Sequence, residues 1–407
     1  MEGGNRMKRH IYLVLGVAFF MVMTLMSGSV LAETGITKDS IKIGATMDLT
    51  GPSAFAGVNI KKGIELYFQK INDDGGIYGR KLKLIPEDDA YNVSKSVANF
   101  KKLVKFYKVF CFIANNSTEC NMAQLPMIKK EKIPVVAAHT FDDIFKYPPK
   151  RYYIPVNITT NTDQAKYIVW YIYNKLGIKK PKVGIIYQEG AFCKNPMIAA
   201  KEYAKKKLGF EILLTEVYSR GAIDLSSQVL KLKRAGVEHV MVLGMLRSCA
   251  SAVKELKKLD WKPSIYFFLP PVDPQLIKLL GKDSLWPKRI VGVIGTPLAA
   301  TDMAGPRELK ELIKKYDPKY VPMTYTVAGY GYAKVLVEGL KRAGKDLTRE
   351  RLIDAFETFK DYNDGVHAPL TYTPTLRGGE GKCLVYQVKK VNGDIKWVLT
   401  EKWVGYK

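Results

Sequence analysis

Residues 115–119 read Asn-Asn-Ser-Thr-Glu, two amides, two hydroxyls and a carboxylate in consecutive positions, just ahead of a helical pattern. Such a run can hold a bound anion, because its amide and hydroxyl protons and the unsatisfied N–H groups of a helix start converge where the helix dipole is positive. The same residues can equally be an ordinary cap, with Ser117 or Thr118 serving only its own helix. A second donor set, Ala138-His139-Thr140, follows the next β-rich run. Together the two segments point to a carboxylate site with Asn116, Ser117, Ala138 and Thr140 as candidate ligands. For His139, a place at the surface or behind the ligand is weighed above direct contact. Phe55, Tyr91, Phe141 and Phe192 stand in comparable loops, where rings can enclose an apolar or aromatic body, with core packing as the alternative for each. Leu246 and Leu269 complete the candidate apolar wall.

Catalytic equipment is sparse. Of four histidines, His10 lies in the leader-like segment described below, and His139, His239 and His367 have no metal-like spacing to one another or to cysteine. No Gly-x-Ser-x-Gly elbow, Walker loop or dinucleotide fingerprint is present, and Gly329-Tyr330-Gly331 falls inside a helical pattern that helix packing explains better. No cofactor, no metal and no enzymatic activity are expected.

The elements that must position these loops alternate. Residues 41–47, 81–86, 109–114 and 133–138 read as strands, with helices at 58–71, 94–106 and 121–130 between them. The pattern starts again with strands at 183–187, 212–217, 240–243 and 265–269, separated by helices. Strands separated by helices pair in parallel, so the fold class is α/β, two doubly wound parallel-sheet lobes. Residues 147–160, rich in Pro and Thr, connect them. A third part, from about residue 291, adds a strand, helices at 308–315, 326–343 and 349–359, and a hairpin turned by Asn392-Gly393. The boundaries read as a first lobe of 33–157 and 288–368, and a second of 158–287 and 369–407. Ligand crevices in open α/β sheets lie beyond the carboxyl ends of the strands, so two facing lobes share one cleft. The segments to inspect are 48–57, 88–92, 115–121, 139–143, 188–195, 244–249 and 270–274.

Arg6, Lys8 and Arg9 precede an apolar run over 11–26, and Val30 and Ala32 stand at the positions a signal peptidase reads. Cleavage after residue 32 and a periplasmic location are expected, with an uncleaved anchor helix as the alternative. No cysteine precedes Cys111, so no lipid tether is expected. The formal charge of +25 is reduced by two on removing that segment. The excess lysines are spread along helical faces beside acids such as Glu202 and Glu255, which reads as solvated helix surface and not as a nucleic-acid site. Five cysteines in an exported chain permit disulfides, and Cys193 with Cys249 is one possible pair, with free buried thiols as the alternative.

The order of Ile43-Gly44-Ala45-Thr46, Leu49-Thr50-Gly51-Pro52, Gly57, Gly75-Gly76-Ile77-Tyr78-Gly79-Arg80, Asp88-Asp89 and Ile133-Pro134-Val135 resembles the type I periplasmic binding proteins of the branched-chain amino acid transport family. The resemblance runs from residue 41 to about 400. It implies two lobes joined by a three-crossing hinge that closes on a solute, a monomer, and a membrane permease of an ABC transporter as partner. It also implies that Ser117, Ala138 and Thr140 hold a ligand carboxylate and that Phe192 stands where amino acid binders often carry Tyr. The departure is Phe268-Leu269-Pro270-Pro271, where those binders commonly place an acid for the ligand's ammonium. Glu119, Asp142 or Asp273 would have to substitute. The function expected is therefore capture of an amino acid or another small carboxylate, with a sensor acting through a membrane receptor as the alternative.

Overall fold

The computed structural model describes residues 33–156, 159–378 and 381–406. The expected signal segment, 1–32, lies outside the described residues. Among the described residues no helix is long and apolar enough to cross a membrane.

The first sheet holds β1 (Ser40–Met47), β2 (Lys81–Asp88), β3 (Cys111–Ile113), β4 (Val135–Val136) and β5 (Tyr153–Ile154) in the order β2-β1-β3-β4-β5, all parallel. The connecting helices are α1 (Ala54–Asp73), α2 (Val93–Lys105) and α3 (Thr118–Glu131). Strands β1, β3 and β4 are largely buried, as parallel strands covered on both faces must be, with Ile41, Ile43, Phe112, Ile113, Val135 and Val136 having no exposed surface, while edge strand β2 carries four charged residues. Each such side chain contributes roughly 1.5–3 kcal/mol relative to exposure.

The second sheet holds β6 (Val183–Gln188), β7 (Leu214–Tyr218), β8 (His239–Leu243), β9 (Ser264–Phe268), β10 (Arg289–Ile294), β13 (Cys383–Val391) and β14 (Asp394–Val404), in the order β14-β13-β10-β9-β8-β6-β7. Its parallel part, β10-β9-β8-β6-β7, repeats the strand order of the first sheet, and β13 and β14 add an antiparallel hairpin at one edge. Asn392 (φ 53°) and Gly393 (φ 88°) supply the two left-handed residues of its tight turn. Helices α4 (Asn161–Trp170), α5 (Ala191–Tyr203), α6 (Ser226–Arg234), α7 (Leu246–Lys258) and α8 (Pro274–Leu280) accompany this sheet.

The expected boundary at residue 288 is corrected. Strand β10 pairs in parallel with β9 and antiparallel with β13, so it is the fifth parallel strand of the second lobe and the counterpart of β5. The later boundary shifts as well. The small pair β11 (Thr371–Tyr372) and β12 (Arg377–Gly378) packs on first-lobe elements, with the Tyr372 ring against Phe356 and Phe359 and its hydroxyl donating to Pro155 O at 2.7 Å. The chain thus passes between the sheets three times: from β5 to α4, after β10, and from β12 to β13.

Between the last two crossings, α9 (Ala304–Tyr316), α10 (Thr324–Ala343) and α11 (Arg349–Glu357) pack on the first lobe. Arg349 fastens α11 by donating to Val109 O, Phe110 O and Glu131 O. The possible Cys193–Cys249 bridge is not formed, and all five cysteines are free and buried.

Candidate ligand-binding cleft

In a 2-1-3-4-5 sheet the chain reverses direction between the first and third strands, and the crevice there opens at their carboxyl ends. Here that places the loops after β1 and β3 on one lobe opposite those after β6 and β8 on the other. A cleft lies between them in two adjoining compartments. The smaller, about 30 Å³, is lined by Asn116, Ser117, Thr118, His139, Thr140, Phe141, Phe192 and Leu269. The larger, about 360 Å³, has Phe55, Gln188, Arg220, Ile223, Leu246 and Arg247 in its wall. Ser53, Tyr91, Met245, Pro270 and Tyr325 line both, so the two lie side by side.

The polar end is held by a buried amide network. Asn115 Oδ1 accepts from Thr46 N at 3.1 Å, and its Nδ2 donates to Gln124 Oε1 at 2.9 Å. Asn121 Nδ2 donates to the carbonyls of Asn115, Asn116 and Ser117. These bonds hold a backbone that bends through positive φ at Ala114 (56°) and Ser117 (72°), a conformation non-glycine residues adopt at a cost. The helix begins at Thr118, three residues earlier than its apolar pattern indicates, because Ser117 caps it by accepting from Cys120 N at 3.4 Å.

Hydrogen bonding separates the committed donors from the free one. Ser117 Oγ donates to Glu119 Oε2 at 3.2 Å, so its proton already has a carboxylate partner. The hydroxyls of Thr118 and Thr140 lie 2.9 Å apart, and since only one donates to the other, one proton remains for a ligand. Asn116 Oδ1 accepts from Ser117 N at 2.7 Å, which fixes the amide's orientation and leaves Nδ2 buried with no partner. A lone buried donor costs about 1–3 kcal/mol, so Asn116 Nδ2 is the donor in this lining with most to gain from a partner. His139 is buried, and its Nδ1 lies 2.9 Å from Tyr332 Oη. Burial holds its imidazole at about 3, so the ring is neutral at physiological pH.

The lobes touch across the cleft. Glu119 pairs with Arg220 at 3.0 Å, the Arg220 guanidinium lies 5.0 Å from the Tyr91 ring centre, and Asn195 Nδ2 donates to Asp142 Oδ2 at 2.7 Å. Asp273 Oδ2 accepts from Thr324 N at 3.0 Å, tying the second lobe to the start of α10.

Of the residues singled out in the sequence, Asn116, Ser117, Thr140, Phe192 and Leu269 come together in the polar compartment, and Phe55 and Leu246 in the larger one. Ala138 is buried outside the lining, and its carbonyl accepts from Thr140 N at 2.9 Å. None of the acids that could answer an ammonium, Glu119, Asp142 or Asp273, lines either compartment. Gln188, Arg220, Met245 and Tyr325 were not singled out. Arg220 follows the end of β7 by two residues, a position that marks it as a cleft candidate by the rule applied to the other strands. Tyr325 enters from α10, which no strand-end rule could find.

A family model described as periplasmic binding protein matches residues 40–394. Leu/Ile/Val-binding protein homolog 1 of Brucella abortus (strain 2308) is 25% identical over 350 residues, covering 80% of this chain and 86% of that protein. Homolog 7 of the same strain is 23% identical over 327 residues, covering 74% and 77%. Among solved structures, a fatty acid ABC transporter substrate-binding protein from Thermomonospora curvata superposes with a TM-score of 0.82 at 23% identity, covering 93% of this chain and 96% of that one. A branched chain amino acid ABC transporter from Thermus thermophilus with bound valine gives 0.78 at 21% identity, covering 89% and 96%. These structures share the two-lobed fold, and the family match extends over most of the sequence. This chain belongs to the periplasmic binding protein family.

Proposed function

We propose that the protein is the extracytoplasmic solute-binding component of an ABC transporter, and that it holds an amino acid or another small carboxylate in the cleft between its lobes. The observation that carries this reading is the polar compartment at the start of α3. There an uncommitted buried donor, Asn116 Nδ2, and the Thr118–Thr140 hydroxyl pair face a space that adjoins a larger, mostly apolar one. The volumes fit a carboxylate seated at the helix N-terminus with its organic body beyond. Contacts from both lobes favour the arrangement in which they touch, and a membrane permease would read that arrangement. Residues 1–32 act in this reading as a cleaved signal, leaving Glu33 as the mature start.

Mass spectrometry of the small molecules released on denaturing the purified protein tests the proposal, followed by calorimetry with what is found. A carboxylate bound with micromolar affinity, about −8 kcal/mol, is the expected result. Tight binding restricted to uncharged solutes such as sugars would overturn it.

A further inference from the structure

The walls of the cleft are uneven in charge. Among the described residues, the two compartments together are lined by two cationic side chains, Arg220 and Arg247, and by no carboxylate. An α-amino acid brings an ammonium one bond from the carbon that carries its carboxylate. Seated as proposed, that ammonium would lie in or beside the 30 Å³ compartment, among Phe141, Phe192, Leu269 and Tyr325. An uncompensated buried charge costs several kcal/mol. Glu119 lines neither compartment, and it is already paired with Arg220 and accepts from Ser117. The Tyr91 face, which could take a cation, already holds the Arg220 guanidinium.

A second observation comes from the opposite lobe. Gln188, at the carboxyl end of β6, is 1% exposed, lines the larger compartment, and has Oε1 buried without a partner. Buried side-chain amides are ordinarily bonded, and those that are not mark either strain or a binding role. Phe55, Leu246, Pro270 and Tyr325 line the same compartment. The amide is therefore a buried, uncharged polar group in the lining, with an unpartnered acceptor, on the lobe that does not carry Asn116.

Resting on the carboxylate reading above, we infer that the solute is a carboxylic acid without an ammonium group, and that its apolar body carries an uncharged hydrogen-bond donor, such as a hydroxyl, that donates to Gln188 Oε1. Asn116 orients the acid from one lobe and Gln188 the far substituent from the other, so that a solute satisfying both bridges the cleft. Selection against amino acids follows from the missing counter-charge, and selection among amine-free acids from the Gln188 amide.

The test is calorimetry on the full protein, freed of bound solute, with a matched set of probes. These are phenylalanine, 3-phenylpropanoate and the three ring-hydroxylated 3-phenylpropanoates, with leucine and 4-methylpentanoate as an aliphatic pair. Each amine-free acid is expected to bind at least tenfold tighter than its amino acid partner. The best hydroxylated probe is expected to bind at least tenfold tighter than its parent, and Gln188→Leu to bring that ratio to within twofold. Amino acids binding as tightly as their amine-free partners overturn the inference and leave the carboxylate reading standing. A hydroxyl preference that is absent, or that survives Gln188→Leu, removes the Gln188 contact. Failure of every acid overturns the carboxylate reading and this inference with it. The amine comparison uses the unaltered protein, so it stands even if the variant does not fold.

Discussion

The Glu119 carboxylate and the Arg220 guanidinium meet at 3.0 Å across the cleft, one from each lobe. Glu119 also accepts the Ser117 proton, and Arg220 lies over Tyr91, so the contact joins the polar end of the cleft to the opposite lobe. A ligand group that competes for the Ser117 hydroxyl changes the bonding of Glu119, and with it the strength of the clasp.

Removing the guanidinium should therefore loosen the clasp and uncover an acid. The pair is partly exposed, with side chains 34% and 21% accessible, and exposed pairs contribute only about 0–1 kcal/mol. The contact with Tyr91 adds about 0.5–1 kcal/mol. Arg220→Ala is expected to weaken binding of amine-free acids by about fivefold, roughly 1 kcal/mol, and to narrow the discrimination against amino acids by freeing Glu119. Calorimetry of both ligand types on the variant measures this, and unchanged affinities for both would exclude the clasp from ligand retention.

The donors at the anion end should rank by their existing commitments. Asn116 Nδ2 has no partner and one proton of the Thr118–Thr140 pair is free, whereas Ser117 Oγ already donates to Glu119. Hydrogen bonds to a charged group are worth about 1.5–3 kcal/mol, so Asn116→Ala and Thr140→Ala are each expected to weaken carboxylate binding by at least about tenfold. Ser117→Ala should cost less. Titrations of the three variants with one ligand give the order, and a dominant Ser117 effect would contradict it.

Much of this cleft could be read before any coordinates, because the β/α alternation is regular enough to locate strand ends, and strand ends are where the loops converge. The residues at 116, 117 and 140 were found that way. The misplacements have physical causes. Strand β5 has only two residues, too few to show a period, and β10 looked like the start of a new region because its antiparallel neighbour, β13, lies some ninety residues on. Tyr325 reaches the cleft only because the chain returns to the first lobe. The pairing of Glu119 with Arg220 was beyond reach, since the arginine comes from the other lobe.

Helix α10 carries Tyr325 into the cleft and lies against α1 through two glycines. A β-carbon on Gly329 would collide with the Ile60 carbonyl, and one on Gly63 with the Thr326 carbonyl. Gly329 thus serves close helix packing, as the helical pattern indicated, while Gly331 makes room for Val366 and His367. Because backbone cannot yield as a side-chain tip can, Gly329→Ala is expected to destabilise by about 1–3 kcal/mol or more and to displace Tyr325. Chemical denaturation together with ligand titration would register both effects, and a variant of unaltered midpoint would show that the helices tolerate separation.

Asp89 sits under the loop that carries Tyr91, with its Oδ1 accepting from Tyr91 N at 3.0 Å. Burial raises its carboxyl to about 6, against the lowering influence of Ser96 and the Tyr91 N–H, and the charges of Asp48 and Asp88 add to the rise. The folded protein therefore holds a proton there that the unfolded chain, with its ordinary value near 3.8, releases earlier. This contribution to stability is fully present below pH 3.8 and is lost as pH rises through 6, with a difference on the order of 3 kcal/mol. Asn can keep the acceptor for Tyr91 N without the charge. Asp89→Asn should accordingly be more stable than the unaltered protein above pH 6, and the gain should shrink as pH falls toward 4. Urea midpoints measured from pH 4 to 8 would follow this difference, and parallel profiles for the two proteins would mean that Asp89 titrates as an ordinary carboxylate.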